Sequence, residues 1–204
     1  MPSADSFLAF ALASFLLVIV PGPSVLFVIS RGVALGRRAA LATVAGNAAG
    51  VYVQVLFVAV GLGAVISRSA VVFNVIKFAG AAYLVYLGVQ ALRHRRQLST
   101  VLDVAGTYRP TRHLLREGFL VGIANPKAAV FFAAILPQFV NPDGGPVGVQ
   151  MAALGLVFVL IALLSDSVWG LAAGSARAWL AASPHRLELL GGAGGLTMIG
   201  LGVG

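Results

Sequence analysis

The chain has no cysteine. Disulfide frameworks, thiol redox chemistry and thiolate metal sites are therefore excluded. Acid is also scarce, with six Asp and Glu against fourteen Lys and Arg. Charged residues of both signs reach only 10% of the 204 positions. A soluble domain carries about 25%. The three histidines, His94, His113 and His185, lie in polar segments beside arginines, and no two of them lie at metal-ligand spacing with an acid. No glycine-rich phosphate loop is present, which argues against an ATP-driven motor. No nucleophile with a base, and no metal set, gathers at one end of the apolar segments, so an enzyme is not expected.

What the chain has in excess is apolar residues, at 59%. One core cannot hold them all and leave a polar surface over. The surface must face lipid. A spanning helix needs about 20 mostly apolar residues. Six stretches qualify: Phe7–Ile29, Ala39–Ile66, Val71–Leu92, Gly118–Val140, Val147–Gly174 and Leu189–Gly204. The runs are continuous rather than alternating, which favours helices over barrel strands. The first is expected to be retained and not cleaved as a signal, because Asp5 precedes it and no Lys or Arg does. The last is the shortest and is rich in glycine.

The net charge of +8 invites a nucleic-acid reading. The placement of the charges argues against it. Odd-numbered loops carry eleven basic residues, among them Arg31, Arg37, Arg38, Arg93, Arg109 and Arg177, and even-numbered loops carry only Arg68. The positive-inside rule puts the odd loops in the cytoplasm and, with six spans, both termini outside.

The polar linker from Arg93 to Glu117 divides the chain into about 7–92 and about 118–204. Three spans is an odd number, so the halves enter the membrane with opposite orientation. The expected fold class is an all-α membrane protein, one transporter domain over 1–204, built as two inverted three-helix repeats. Helices 1 and 4 are interrupted. Pro21-Gly22-Pro23 breaks the first and Asn125-Pro126 breaks the fourth, with Lys127 directly after. Aligned on these breaks, Val18–Phe27 lies against Gly122–Phe131. Interrupted spans in corresponding places of two halves point to a secondary transporter with its site near mid-membrane.

Proline cannot donate a backbone hydrogen bond, and its ring crowds the carbonyl one turn earlier. The carbonyls of Leu17, Ile19 and Gly122 are therefore expected to lose their helical partners. In lipid they need protein, water or ligand instead. Lys127 lies too deep in its span for a loop charge. It reads as a counter-charge to a carboxylate, helped by the helix N-terminus after its break, or else as an ion-pair partner of Asp166. Asp166 is the only acid well inside a span. It reads as a partner for a substrate amine or as a carrier of a coupling proton, and otherwise as a cap on the broken helices. Asn47 and Gln54 can line a cavity or join helices. Lys77 lies near the predicted outer end of its span and reads as a snorkelling residue. Gly46-Asn47-Ala48-Ala49-Gly50 and Gly170-Leu171-Ala172-Ala173-Gly174 are small-residue patterns that let helix backbones approach. The candidate translocation residues are Pro21, Gly22, Pro23, Asn47, Asn125, Pro126, Lys127 and Asp166.

Several segments carry a family resemblance. They are Pro21-Gly22-Pro23 after the first apolar run, Gly32 through Gly50, Lys77-Phe78-Ala79-Gly80-Ala81-Ala82-Tyr83-Leu84-Val85-Tyr86-Leu87-Gly88, Gly118 through Lys127, and Leu136-Pro137-Gln138-Phe139-Val140. Together, in this order, they resemble the LysE/RhtB family of amino-acid exporters over essentially the whole chain. The resemblance implies a multi-pass protein of the bacterial inner membrane that moves amino acids or close derivatives outward, powered by proton antiport. It implies no cofactor. The expected partners are the amino-acid substrate and the bilayer, a homo-oligomer is allowed, and no nucleic acid is expected. The chain departs from its relatives at Val51, where an acid is frequent, and at Gln54, where a histidine is frequent. Two other readings compete: export of another small solute or cation, and a non-transporting membrane subunit. A metal exporter wants clustered His, Cys or acid ligands, and the spans hold one acid and no histidine.

The charge alternation predicts that single cysteines at Ser99 and Asp143 are labelled from opposite sides of the membrane. An impermeant reagent on intact cells should modify Asp143→Cys and spare Ser99→Cys. Labelling of Ser99→Cys would refute the topology.

Overall fold

A computed structural model describes residues 2–66 and 109–175, with isolated helical positions from Val75 to Val89. Most of the third expected span, the whole of the sixth, Lys77 and most of the 93–117 linker lie outside the described residues. Those described are helical, with no strand among them.

The first apolar run forms two helices, α1 (Ala4–Ile19) and α2 (Pro23–Leu35). Ser3 caps α1, its hydroxyl accepting from the Ser6 N–H at 3.1 Å. Pro21-Gly22-Pro23 ends α1 and starts α2, with Pro23 at the first helical position. There a missing N–H costs nothing. The two axes differ by 52°. Gly36 ends α2 at φ +89°, a left-handed conformation that glycine adopts without strain. The chain then enters α3 (Arg37–Ile66).

The fourth apolar run is likewise divided, into α4 (Thr111–Ile123) and α5 (Pro126–Ala134), bent by 44° at the break. α4 starts seven residues before the apolar run does, so the end of the polar linker is helical. Arg112, His113, Arg116 and Glu117 extend the helix beyond the apolar layer. A 3-10 turn, Leu136–Phe139, follows α5, and α6 runs from Val147 to Ser175. Gln150 orders the turn before α6. Its amide donates to the Asn141 and Gly145 carbonyls and accepts from the Asn141 N–H.

α3 and α6 are each long and apolar enough to cross a membrane, and each bent pair is so when taken as one span. Their outer faces carry bare apolar side chains, among them Leu8, Phe57, Val60, Leu164 and Val168, all more than two-thirds exposed. This is the lipid-facing surface that the composition demands.

Glycine sets how closely α3 and α4 approach. A Cβ on Gly46 would lie 2.0 Å from the Leu115 carbonyl oxygen, and one on Gly50 2.2 Å from that of Phe119. From the other side, a Cβ on Gly118 would lie 2.2 Å from the Thr43 oxygen, and one on Gly122 2.3 Å from the Asn47 oxygen. Two small-xxx-small motifs therefore interlock backbone to backbone. The Gly170/Gly174 pattern does the same for α6, meeting Ala40 and Arg37 on α3 and receiving Gly32 of α2. The apolar core gathers Phe10 of α1, Phe131 and Phe132 of α5, and Phe158 of α6, with ring centroids 4.8–6.0 Å apart along the chain of contacts.

One ionic cluster ties α2 to α4. Arg31, 8% exposed, pairs with Glu117 at 3.1 Å, and Arg109 and His113 share the same carboxylate. The Arg31 guanidinium also lies over the Phe27 ring, 4.7 Å from its centroid.

Because the neighbour of Gly118 is backbone, no rotamer change can make room for a side chain. Gly118→Ala should lower the melting temperature of the detergent-solubilised protein by the equivalent of about 1–3 kcal/mol, the usual range for overpacking. Gly61→Ala, inside α3 where a Cβ meets nothing within 4 Å, should hold or raise it, because alanine is the better helix former. Equal melting of the two variants would mean that the helices do not pack this closely.

Candidate functional site

The two helix breaks touch. The Asn125 side-chain amide donates to the Ser24 hydroxyl at 3.0 Å, joining the residue before α5 to the first turn of α2. Beside this contact lies a small cavity of about 40 Å³. A water molecule needs roughly 10–15 Å³ on this measure, so the space holds a few waters. Of the residues singled out by sequence, Gly22, Asn47, Asn125, Lys127 and Asp166 line it. Pro21, Pro23 and Pro126 shape the breaks but are not in the lining.

Lys127 reaches across to the first break. Its ammonium donates to the Leu17 carbonyl at 2.6 Å and to the Val20 carbonyl at 2.9 Å. These are groups that the end of α1 leaves without helical partners. The Leu17 carbonyl is freed by Pro21, as expected. The second acceptor is Val20, at the C-cap, and not Ile19. A cation at a helix C-terminus also faces the negative end of the helix dipole. The alternative reading of Lys127, an ion pair with Asp166, is not realised as a direct contact. Among the described residues the salt bridges are those of Glu117 with Arg31, Arg109 and His113.

Gln54 of α3 serves the second break in the same way. Its amide donates to the Ile123 carbonyl at 2.9 Å and to the Asn125 carbonyl at 3.1 Å. The Gly122 carbonyl, expected to be bare, instead accepts the Asn125 N–H at 3.2 Å because the chain tightens there. Sequence reasoning named Gln54 as a polar residue but did not place it at the break. The signal available was an amide buried in a span whose own helix has no need of it.

The starts of the two helices after the breaks differ. Asn125 caps α5 itself, its side-chain oxygen accepting from the N–H groups of Lys127 at 3.1 Å and Ala128 at 3.5 Å. The N-terminus of α5 is thus occupied by its own cap and is not the free terminus expected beside Lys127. α2 has Gly22 at its N-cap and no side-chain cap. By role, Gly22 matches Asn125 and Pro23 matches Pro126. This shifts the sequence alignment of the two breaks by one residue.

Asp166 and Asn47 complete the lining from α6 and α3. Asp166 is 3% exposed and Asn47 4%. The Asn47 amide donates to Asp166 Oδ2 at 3.3 Å. Asp166 Oδ1 and Asn47 Oδ1 have no partner. A buried acceptor without a donor costs free energy. Both oxygens belong to residues that line the cavity, where a ligand with N–H groups would satisfy them. Val51 is buried and lines the same cavity. Ser24 also lines the cavity and was not singled out by sequence. Its signal was a hydroxyl in the first turn after Pro23.

The chain is similar to several known proteins over most of its length. It is 31% identical over 182 residues to a homoserine/homoserine lactone efflux protein of Salmonella typhi, covering 89% of this chain and 86% of that one. It is 26% identical over 159 residues to a leucine efflux protein of Enterobacter sp. (strain 638), covering 78% and 75%. No solved structure matches it. The family described as LysE type translocator matches residues 15–204, a range that takes in both helix breaks and every residue of the cavity, and the chain belongs to that family.

Proposed function

We propose that this protein exports amino acids or close derivatives across the bacterial inner membrane by proton antiport, with the cavity between the two helix breaks as the substrate site. The observation that carries the reading is Asp166, a buried carboxylate with one oxygen unpartnered, facing a cavity where two interrupted helices meet. Ionisable groups inside spans are costly and tend to serve a ligand or a proton. Relatives named for homoserine and leucine efflux support the substrate class. On this reading the chain is one transporter domain of two inverted three-span repeats, with its arginine-rich loops in the cytoplasm and its termini outside. Asp166 alternates between the substrate amine and a proton, which couples outward movement of one to inward movement of the other. The present cavity is smaller than an amino acid, so the cycle includes a widening of the site.

Asp166→Asn keeps the acceptor for the Asn47 amide and removes the charge. It should melt close to the parent. A charge-assisted hydrogen bond contributes about 1.5–3 kcal/mol, so efflux from cells loaded with leucine or homoserine dipeptides should fall about 10–100-fold. Export against a gradient with unchanged pH dependence would remove Asp166 from the coupling step.

Lys127→Met should behave differently. It strips the Leu17 and Val20 carbonyls of their charged donor, at a cost of about 1.5–3 kcal/mol for each bond lost. Folded yield and melting temperature should both drop. A Lys127→Met protein that melts like the parent while losing export would show that the lysine acts on substrate and not on the fold.

A further inference from the structure

We infer that the cavity is polarised to take an α-amino acid in one orientation. The N-terminus of α2 takes the carboxylate, and the unpartnered oxygens of Asp166 and Asn47 take the ammonium. Lys127 is a positioning residue. The inference rests on the proposed function and names the groups within it.

Three observations lead here. First, the lysine that would otherwise serve as the carboxylate's partner is engaged elsewhere, holding the Leu17 and Val20 carbonyls. Second, of the two helix N-termini beside the cavity, Asn125 closes that of α5 with its own side chain, whereas α2 begins at Gly22 with none. Gly22, Ser24 and Val25, the first residues of α2, line the cavity. An uncapped helix N-terminus presents N–H donors and the positive end of the dipole, which suits a carboxylate. Third, the lining also includes Asp166 and Asn47, whose buried oxygens Asp166 Oδ1 and Asn47 Oδ1 lack donors. An ammonium supplies up to three. The N–H donors and the bare acceptors thus belong to residues that line one cavity from different helices, α2 for the donors and α3 with α6 for the acceptors. A zwitterion satisfies both, and a ligand with only one charged group satisfies one.

The test gives α2 a cap of its own. Gly22 has φ −96° and ψ −173°, a conformation open to any residue. Serine is a strong N-cap, and its hydroxyl would take the N–H groups that the carboxylate needs. The full chain is purified, and binding of L-leucine and L-homoserine is measured by calorimetry beside L-leucinamide, which lacks the carboxylate, and N-acetyl-L-leucine, which lacks the ammonium. The parent should bind the amide about tenfold more weakly than the acid, the order of one helix-terminus interaction. It should bind the N-acetyl compound more weakly still. In Gly22→Ser the affinity for the acid should fall about tenfold and that for the amide should hold, so the preference disappears. In Asp166→Asn the preference for leucine over N-acetyl-leucine should collapse while that for acid over amide survives. A parent that binds leucinamide as tightly as leucine overturns the carboxylate assignment without any variant. So does a folded Gly22→Ser protein with its preference intact. If the parent binds neither amino acid, the exporter reading itself fails, and this inference fails with it.

Discussion

A helix broken inside a bilayer leaves carbonyls that have no water to turn to. The structure depends on how those carbonyls are satisfied. At the first break the Lys127 ammonium holds Leu17 and Val20, and at the second the Gln54 amide holds Ile123 and Asn125. Each donor comes from a different helix, so each break is closed only when its neighbour is in place. α5 carries the cap for α1, and α3 carries the cap for the end of α4. The breaks then become fixed features of the packing, and the Asn125–Ser24 bond links them.

Close helix packing makes those reaches possible. Gly46, Gly50, Gly118 and Gly122 bring the α3 and α4 backbones into direct contact. With a methyl group at any of them the helices would stand further apart. Gln54 lies one turn beyond Gly50 on α3, and Ile123 directly follows Gly122 on α4. The glycine contact therefore sets the distance over which the amide must act. Asn47 sits within the same motif, and its carbonyl packs against Gly122 while its side chain faces Asp166. Packing and site share a residue, so a change in helix spacing would reach the cavity directly.

Much of this was legible in the sequence, for reasons that differ by residue. Proline has no N–H whatever its surroundings, so the interruptions at Pro21–Pro23 and Asn125–Pro126 could be read locally. The Gly46/Gly50 and Gly170/Gly174 motifs marked backbone approach, although not which helix would approach. Asn47, Asn125, Lys127 and Asp166 stood out because polar groups are rare in these spans, and they do line one cavity. What the sequence could not tell was pairing. A lysine and an aspartate, each alone in a span, suggest each other. Choosing between a carboxylate and two carbonyls as the lysine's partner depends on where α1 ends, which is a matter of three-dimensional placement. The role of Gln54 was hidden for the same reason. Its acceptors lie 69 and 71 residues away.

The two breaks solve one problem with different chemistry, and the difference bears on function. At the second break both ends are satisfied by neutral amides: Gln54 for the carbonyls and Asn125 for the following N–H groups. At the first break the carbonyls take a cation and the N–H groups take no side chain. If the only demand were stability, the Asn125 arrangement would serve at Gly22 too, since an Asn cap stabilises a helix start by a few tenths of a kcal/mol over Gly. The uncapped start thus lines the same cavity as two residues with an unpartnered oxygen, whereas at the other break the backbone groups are held by Gln54 and Asn125. Open donors on α2 and open acceptors on α3 and α6 line one cavity, and together they are complementary to a single bound solute carrying both charges. The asymmetry between the halves also explains why their breaks agree in pattern and not in residue identity: the shared geometry is the interruption, and the specialised chemistry lies at one of the two.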